Sequence, residues 1–148
     1  MAACILGTQR GYNDGMKETA EGVARAFVRA INRHDVEAMG ALMTPEHRSV
    51  DSLGKVVEGR ENVQAVWVGY LHMIPDYQIA VEERICGGPV VVMLGVAKGT
   101  YTTDGWLRAE NGWEMPAAFR ALIKDGKVEE WRVYADNEPM RERVRKSK

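Results

Sequence analysis

From Tyr77 to Ala135 the chain is cut by turn signals into long runs rich in β-branched and aromatic residues, and this punctuation limits the fold more than any other feature. Gly87-Gly88-Pro89 separates a strand over 77–85 from one over 90–102. Asp104-Gly105 and Asn111-Gly112 mark the loop that follows. Lys124-Asp125-Gly126-Lys127 then joins a strand over 113–123 to one over 128–135 through a hairpin signal. The first half has a different period. Val23, Ala24, Phe27, Ala30 and Ile31 recur at helical spacing within a helix over 17–33. Asp35 suits the cap of a second helix over 36–43, and a third over 61–73 ends at Pro75. The face expected to be buried on this third helix holds Val63, Val66, Trp67, Tyr70, Leu71 and Ile74. Three helices followed by an antiparallel meander predict an α+β fold, with the helices on one sheet face.

The chain has 148 residues, 45% of them hydrophobic, which suits one domain with its own core. A formal net charge of −1, with no basic stripe interleaved with aromatics, argues against nucleic acid as a partner. The longest purely apolar run, PVVVML, is too short to span a bilayer, so no membrane partner is expected. Residues 1–16 read as a loosely ordered arm without the pattern of a signal peptide, 17–140 as the domain, and 141–148 as a basic, solvated tail. Cys4 and Cys86 have no ligand or redox spacing and read as two free thiols in a reducing, cytoplasmic setting. With three histidines that form no cluster, no metal or other cofactor is expected.

The stretch HRSVDSLG carries the first hint of chemistry. In a strand, His47, Ser49 and Asp51 share one face and Val50 points to the other. A polar face of this kind meets water or lines a pocket. Asp51 before Ser-Leu-Gly also suits capping of its own turn. Tyr70 and Trp67 suit simple core packing as well as a ligand wall. His34 and His72 read as surface residues.

Taken together, VARAFVRAINRHDVEAMGALM, SVDSLG, VVEGRENVQAVWVGYLHMIPDY and FRALIKDGKVEEWRVYADNEP resemble the nuclear transport factor two-like superfamily, in its SnoaL-like branch. The resemblance runs from about Glu18 to Met140. It implies a conical α+β barrel, in which a strongly curved, mostly antiparallel sheet and three N-terminal helices enclose a pocket. It also implies a homodimer formed through the outer sheet face, where Val91, Met93, Arg132 and Tyr134 are expected. Val92 and Leu94 are then expected in the core with Val23, Phe27, Trp67, Leu71 and Phe119.

By the same resemblance the polar face of HRSVDSLG looks inward. The position matching Asp51 is the proton-moving carboxylate of ketosteroid isomerases, and Ser49 and Asp51 match water-holding residues of limonene epoxide hydrolases. The implied catalytic set is Asp51 as general base with Tyr70 or His47 polarising an oxygen. Ser49, Trp67, Ile74, Leu94, Met115, Phe119 and Trp131 are the implied substrate-binding wall. Burial in an apolar cone would raise the pKa of Asp51 and suit it to proton transfer. Other machinery of these enzymes is missing. Phe27 and Phe119 stand where ketosteroid isomerases place oxyanion donors, and Leu94, Val96 and Val133 stand where limonene epoxide hydrolases need an arginine between carboxylates. The expected function is a cofactor-independent isomerase, cyclase or dehydratase acting on a small hydrophobic carbonyl compound. The alternative is a non-catalytic binding or dimerisation module that uses the same apolar pocket.

Overall fold

The computed structural model describes residues 19–147. The arm 1–16, Cys4 and the first residues of the predicted first helix lie outside them. Helix α1 (Ala20–Asn32) begins where the Thr19 side chain accepts the Gly22 N–H. Its apolar stripe, Val23, Ala24, Phe27, Ala30 and Ile31, is buried along its length. The helix stops at His34, whose φ of 58° is the left-handed turn that closes a helix, and the Asp35 N–H donates back to the Ala30 carbonyl. Asp35 then caps α2 (Val36–Ala41) by accepting the Ala38 N–H. There follow β1 (Met43–Val50), β2 (Val56–Glu58), α3 (Arg60–Met73), β3 (Gln78–Gly87), β4 (Val90–Thr100), a 3-10 turn (Ala109–Asn111), β5 (Gly112–Lys124), β6 (Lys127–Tyr134) and α4 (Glu138–Lys146).

The strands form one open, mixed sheet in the order β2-β1-β6-β5-β4-β3. β1 runs parallel to β6, and every other pair is antiparallel. The hairpin at Asp125-Gly126 has φ of 53° and 74°, the pair of positive values that a two-residue turn of matching twist needs. Register shifts at Met43/Arg48, Val81/Glu83 and Leu122/Ile123 put bulges in three of the strand pairs, which bends the sheet. At the second bulge the chains come so close that a Cβ on Gly95 would overlap the Ala80 carbonyl of the neighbouring strand. Asn32 ties the end of α1 to β3, donating to the Ile79 carbonyl and accepting the Ile79 N–H.

The α+β class stands, with a fourth, C-terminal helix that runs through the expected tail. Several facings differ. Val91 and Met93, expected outside, are fully buried in the core beside α1 residues. Val92 and Leu94, expected inside, are half-buried on the opposite face. The cause is the run PVVVML, which is apolar at both parities and so carries no phase. Trp67 and Leu71 are half-buried rather than deep, and Val66 is 50% exposed. His34 is half-buried, with Nε2 2.7 Å from the Tyr77 carbonyl. Cys86 is disulfide-bonded, so the free-thiol argument for a reducing compartment does not hold for it. No described helix is long and apolar enough to cross a membrane.

His47 is completely buried on β1, 6.0 Å from the Phe27 ring centroid. Its Nδ1 lies 2.8 Å from the Val128 carbonyl, so the proton belongs on Nδ1 and stitches β1 to the start of β6. Among the described residues its Nε2 has no hydrogen-bond partner. Burial lowers its pKa below 6.5, against the opposing influence of the Val128 carbonyl and the Glu130 charge.

Two outcomes follow from this packing. Gly95→Ala must push two backbones apart and is expected to cost at least about 1–3 kcal/mol. Thermal denaturation would show this as a fall of roughly 2–4 °C per kcal/mol, and an unchanged Tm would contradict the packing. His47 folds neutral while the unfolded chain takes a proton near pH 6.5, so its contribution is complete above that pH and declines as pH falls below it. Urea unfolding between about pH 7 and 5 should therefore show a loss of stability that His47→Gln reduces. A wild-type imidazole titrating at or above 6.5 by NMR would overturn this.

Candidate functional site

A cavity of about 260 Å³ opens between α3, the sheet and the start of α4. Its sheet wall follows from strand alternation. Met115, Ala117 and Phe119 share one face of β5. Ala97 of β4 pairs with Met115, and Val133 of β6 pairs with Phe119. Trp131 lies between Ala121 of β5 and Ser49 of β1, which brings Ser49 to the same face. Val66, Trp67 and Tyr70 reach the cavity from α3, and Tyr77 from the turn that leads into β3. Asn137 and Met140 close it from the start of α4, and Asp51 and Ser52 form a rim next to the buried Val50.

The rings are packed against one another. Tyr70 lies edge-on to Tyr77, with centroids 5.2 Å apart at 87°, and edge-on to Trp67, 5.8 Å apart at 83°. Phe119 stacks on Trp131 at 5.4 Å, and Trp131 rests against Phe27 at 5.0 Å. The Tyr70 hydroxyl donates to the Met140 sulfur at 3.6 Å, a weak acceptor for a phenol. Burial raises the pKa of Tyr70, and burial followed by the nearby Tyr70 raises that of Tyr77. Both therefore remain protonated donors across the neutral range.

The cavity brings together seven of the ten residues named from the sequence: Ser49, Asp51, Trp67, Tyr70, Met115, Phe119 and Trp131. Three stand elsewhere. His47 is sealed in the core on its Val128 bond. Ile74 is buried against Gly99 rather than facing the opening. Leu94 pairs with Ala118 and Glu83 on the outward side of the sheet. Asp51 sits at the rim, but exposed to water, so the expected dry carboxylate is corrected. Its Oδ1 accepts the Leu53 and Lys55 N–H groups at 2.9 Å each, which is the turn-capping role. The same turn returns the Gly54 N–H to the Asp51 carbonyl, with Gly54 at φ 83°.

Tyr77, Ala97, Asn137 and Met140 also line the wall, beyond the residues expected from the sequence. Tyr77 and the buried Ile79 share a parity, which was the available signal. Ala97 is hidden by the missing phase of β4. Asn137 and Met140 depend on how α4 folds back, which no local pattern encodes. Among the described residues no three His, Cys, Asp or Glu side chains stand together as a metal site.

No curated protein is detectably similar to the chain in sequence. Solved structures resemble it closely in shape at low identity. A Shewanella denitrificans protein assigned as a SnoaL-like polyketide cyclase superposes with a TM-score of 0.74 at 14% identity, over 86% of this chain and 97% of that one. IdmH from Streptomyces antibioticus, assigned as a polyketide cyclase, gives 0.71 at 21%, over 86% and 99%. AclR from Streptomyces galilaeus, assigned as a hydroxylase, gives 0.69 at 19%, over 86% and 96%. At these identities the likeness speaks for the fold. The SnoaL-like domain model itself matches residues 24–131, which span α1 through most of β6 and nearly all of the cavity wall, and the chain therefore belongs to the SnoaL-like domain family.

Proposed function

We propose that the cavity binds a small, flat, mainly apolar carbonyl compound and promotes cofactor-independent isomerisation, cyclisation or dehydration. The observation that carries this reading is the pair of protonated phenols, Tyr70 and Tyr77, set in a mainly apolar wall with a carboxylate at its mouth. A carbonyl oxygen is a better acceptor than the Met140 sulfur and would take the Tyr70 proton bond in its place. The phenols then stabilise charge as it develops on that oxygen. Asp51 takes the proton from the carbon next to the carbonyl, and the C–H electron pair moves into the enolate held by the phenols. Phe119 and Trp131 supply flat contact for the ring.

A second reading is a non-catalytic binding pocket. The specific observation in its favour is the solvent-exposed, turn-bound Asp51 carboxylate. A panel of small cyclic ketones separates the two, with turnover assayed beside binding by tryptophan fluorescence. Under the first reading, Asp51→Asn lowers turnover by about 10²–10⁴-fold with little change in affinity. Tyr70→Phe lowers it by up to about 10³-fold. Unchanged turnover in Asp51→Asn rejects the base, and affinity without turnover anywhere in the panel gives the second reading.

The assembly consistent with this fold is a homodimer through the outer sheet face. There Val92, Leu94 and Val96 are half-buried, with Tyr134 51% exposed beside them. Sedimentation should show a dimer at micromolar concentration and a monomer for Leu94→Glu. A wild-type monomer would reject the pairing.

A further inference from the structure

We propose that the aromatic corner of this cavity is a seat for an alkylated ammonium group carried by its ligand. The inference rests on the cavity being the ligand site and is independent of turnover. Three observations carry it. First, Trp67, Tyr70 and Tyr77 are mutually inclined at 83°, 87° and 51°, with centroids between 5.2 and 6.1 Å apart. Rings at such angles make a corner rather than a stack, and electron-rich ring faces attract cations. Second, among the described residues no Lys, Arg or His lines the cavity, and the one formally charged side chain there is the acidic Asp51 at the mouth. An anion entering here finds no counter-charge, whereas a cation finds one at the entrance. Third, the interior polar groups of the corner are phenols held in the donor form, and one of them is engaged with Met140.

The third point selects among cations. A primary ammonium brings three N–H donors, each of which needs an acceptor. In the aromatic corner only the two phenol oxygens can accept, so at least one of the three N–H groups is left unsatisfied there, and that is costly. A quaternary ammonium has no such requirement and a tertiary one needs a single acceptor, while their alkyl groups meet the rings directly. The seat therefore favours a quaternary or tertiary alkylammonium over a primary amine.

Three probes of one shape test the charge alone: choline, its neutral carbon analogue 3,3-dimethylbutan-1-ol, and the anionic 3,3-dimethylbutanoate. Each is titrated against the full-length protein by tryptophan fluorescence, with calorimetry as a second readout. The expected order is choline tightest, by about tenfold or more over the alcohol, with the carboxylate weakest. Trp67→Leu is expected to remove most of the preference for choline over the alcohol. Circular dichroism would establish that this variant is folded, and the wild-type series decides the question without it. An alcohol that binds as tightly as choline overturns the inference while leaving the cavity a site for neutral ligands. Absence of choline binding also overturns it, and the cyclic ketone panel then reports separately on the carbonyl reading.

Discussion

The contact of Phe27 with Trp131 is the one on which the open end of the molecule depends. It joins the buried stripe of α1 to β6, an interior strand of the sheet, with ring centroids 5.0 Å apart. Phe119 also stacks on Trp131, at 5.4 Å. These rings fill the space between helix and sheet and stop there, so the cavity begins where the stack ends. Its floor is thus core and its walls are continuations of core strands, which makes the site rigid by construction. Truncating any of the three rings would enlarge the cavity and loosen the fold by the same act.

Much of the architecture was legible because it is written in local signals. Asp125-Gly126 adopts the positive φ values its composition favours, Asp35 caps the helix it precedes, and the apolar stripe of α1 is buried as its spacing requires. The failures share a physical cause. Val90 to Leu94 is apolar at every position, so strand parity cannot assign inside and outside, and Leu94 lies on the face opposite to the expected one. Ile74 sits at the end of its helix, where the chain turns away and helical spacing no longer says what a side chain faces. His47 follows the alternation of its strand but lies where α1 already fills the inner face.

The candidate site was readable only in part, because its chemistry comes from tertiary placement. Asp51 illustrates the contest between scales. Its strand parity directs it inward, yet the following Ser-Leu-Gly turn offers two backbone amides at 2.9 Å, and these local donors hold the carboxylate at the rim. Tyr77 illustrates the reverse. Nothing in its neighbourhood marks it as functional, yet the folded chain sets it edge-on to Tyr70, and burial keeps both phenols protonated. The polar groups of this pocket are thus a carboxylate held at the rim by its own turn and two hydroxyls that only packing brings together.

The parallel pairing of β1 with β6 has a consequence for how the chain is made. His47 bonds to a carbonyl 81 residues downstream, and β1 has only the three-residue β2 on its other side. During synthesis from the N-terminus, β1 therefore leaves the ribosome long before its main partner exists. The edge that will face β6 stays unsatisfied until that penultimate element emerges, and closing so distant a contact is slow in any chain. The meander β3-β4-β5 can zip up beforehand, each hairpin as it appears. β6 then has to complete that sheet and capture β1 in one step, so the waiting strand is the part of the nascent chain most exposed to mispairing.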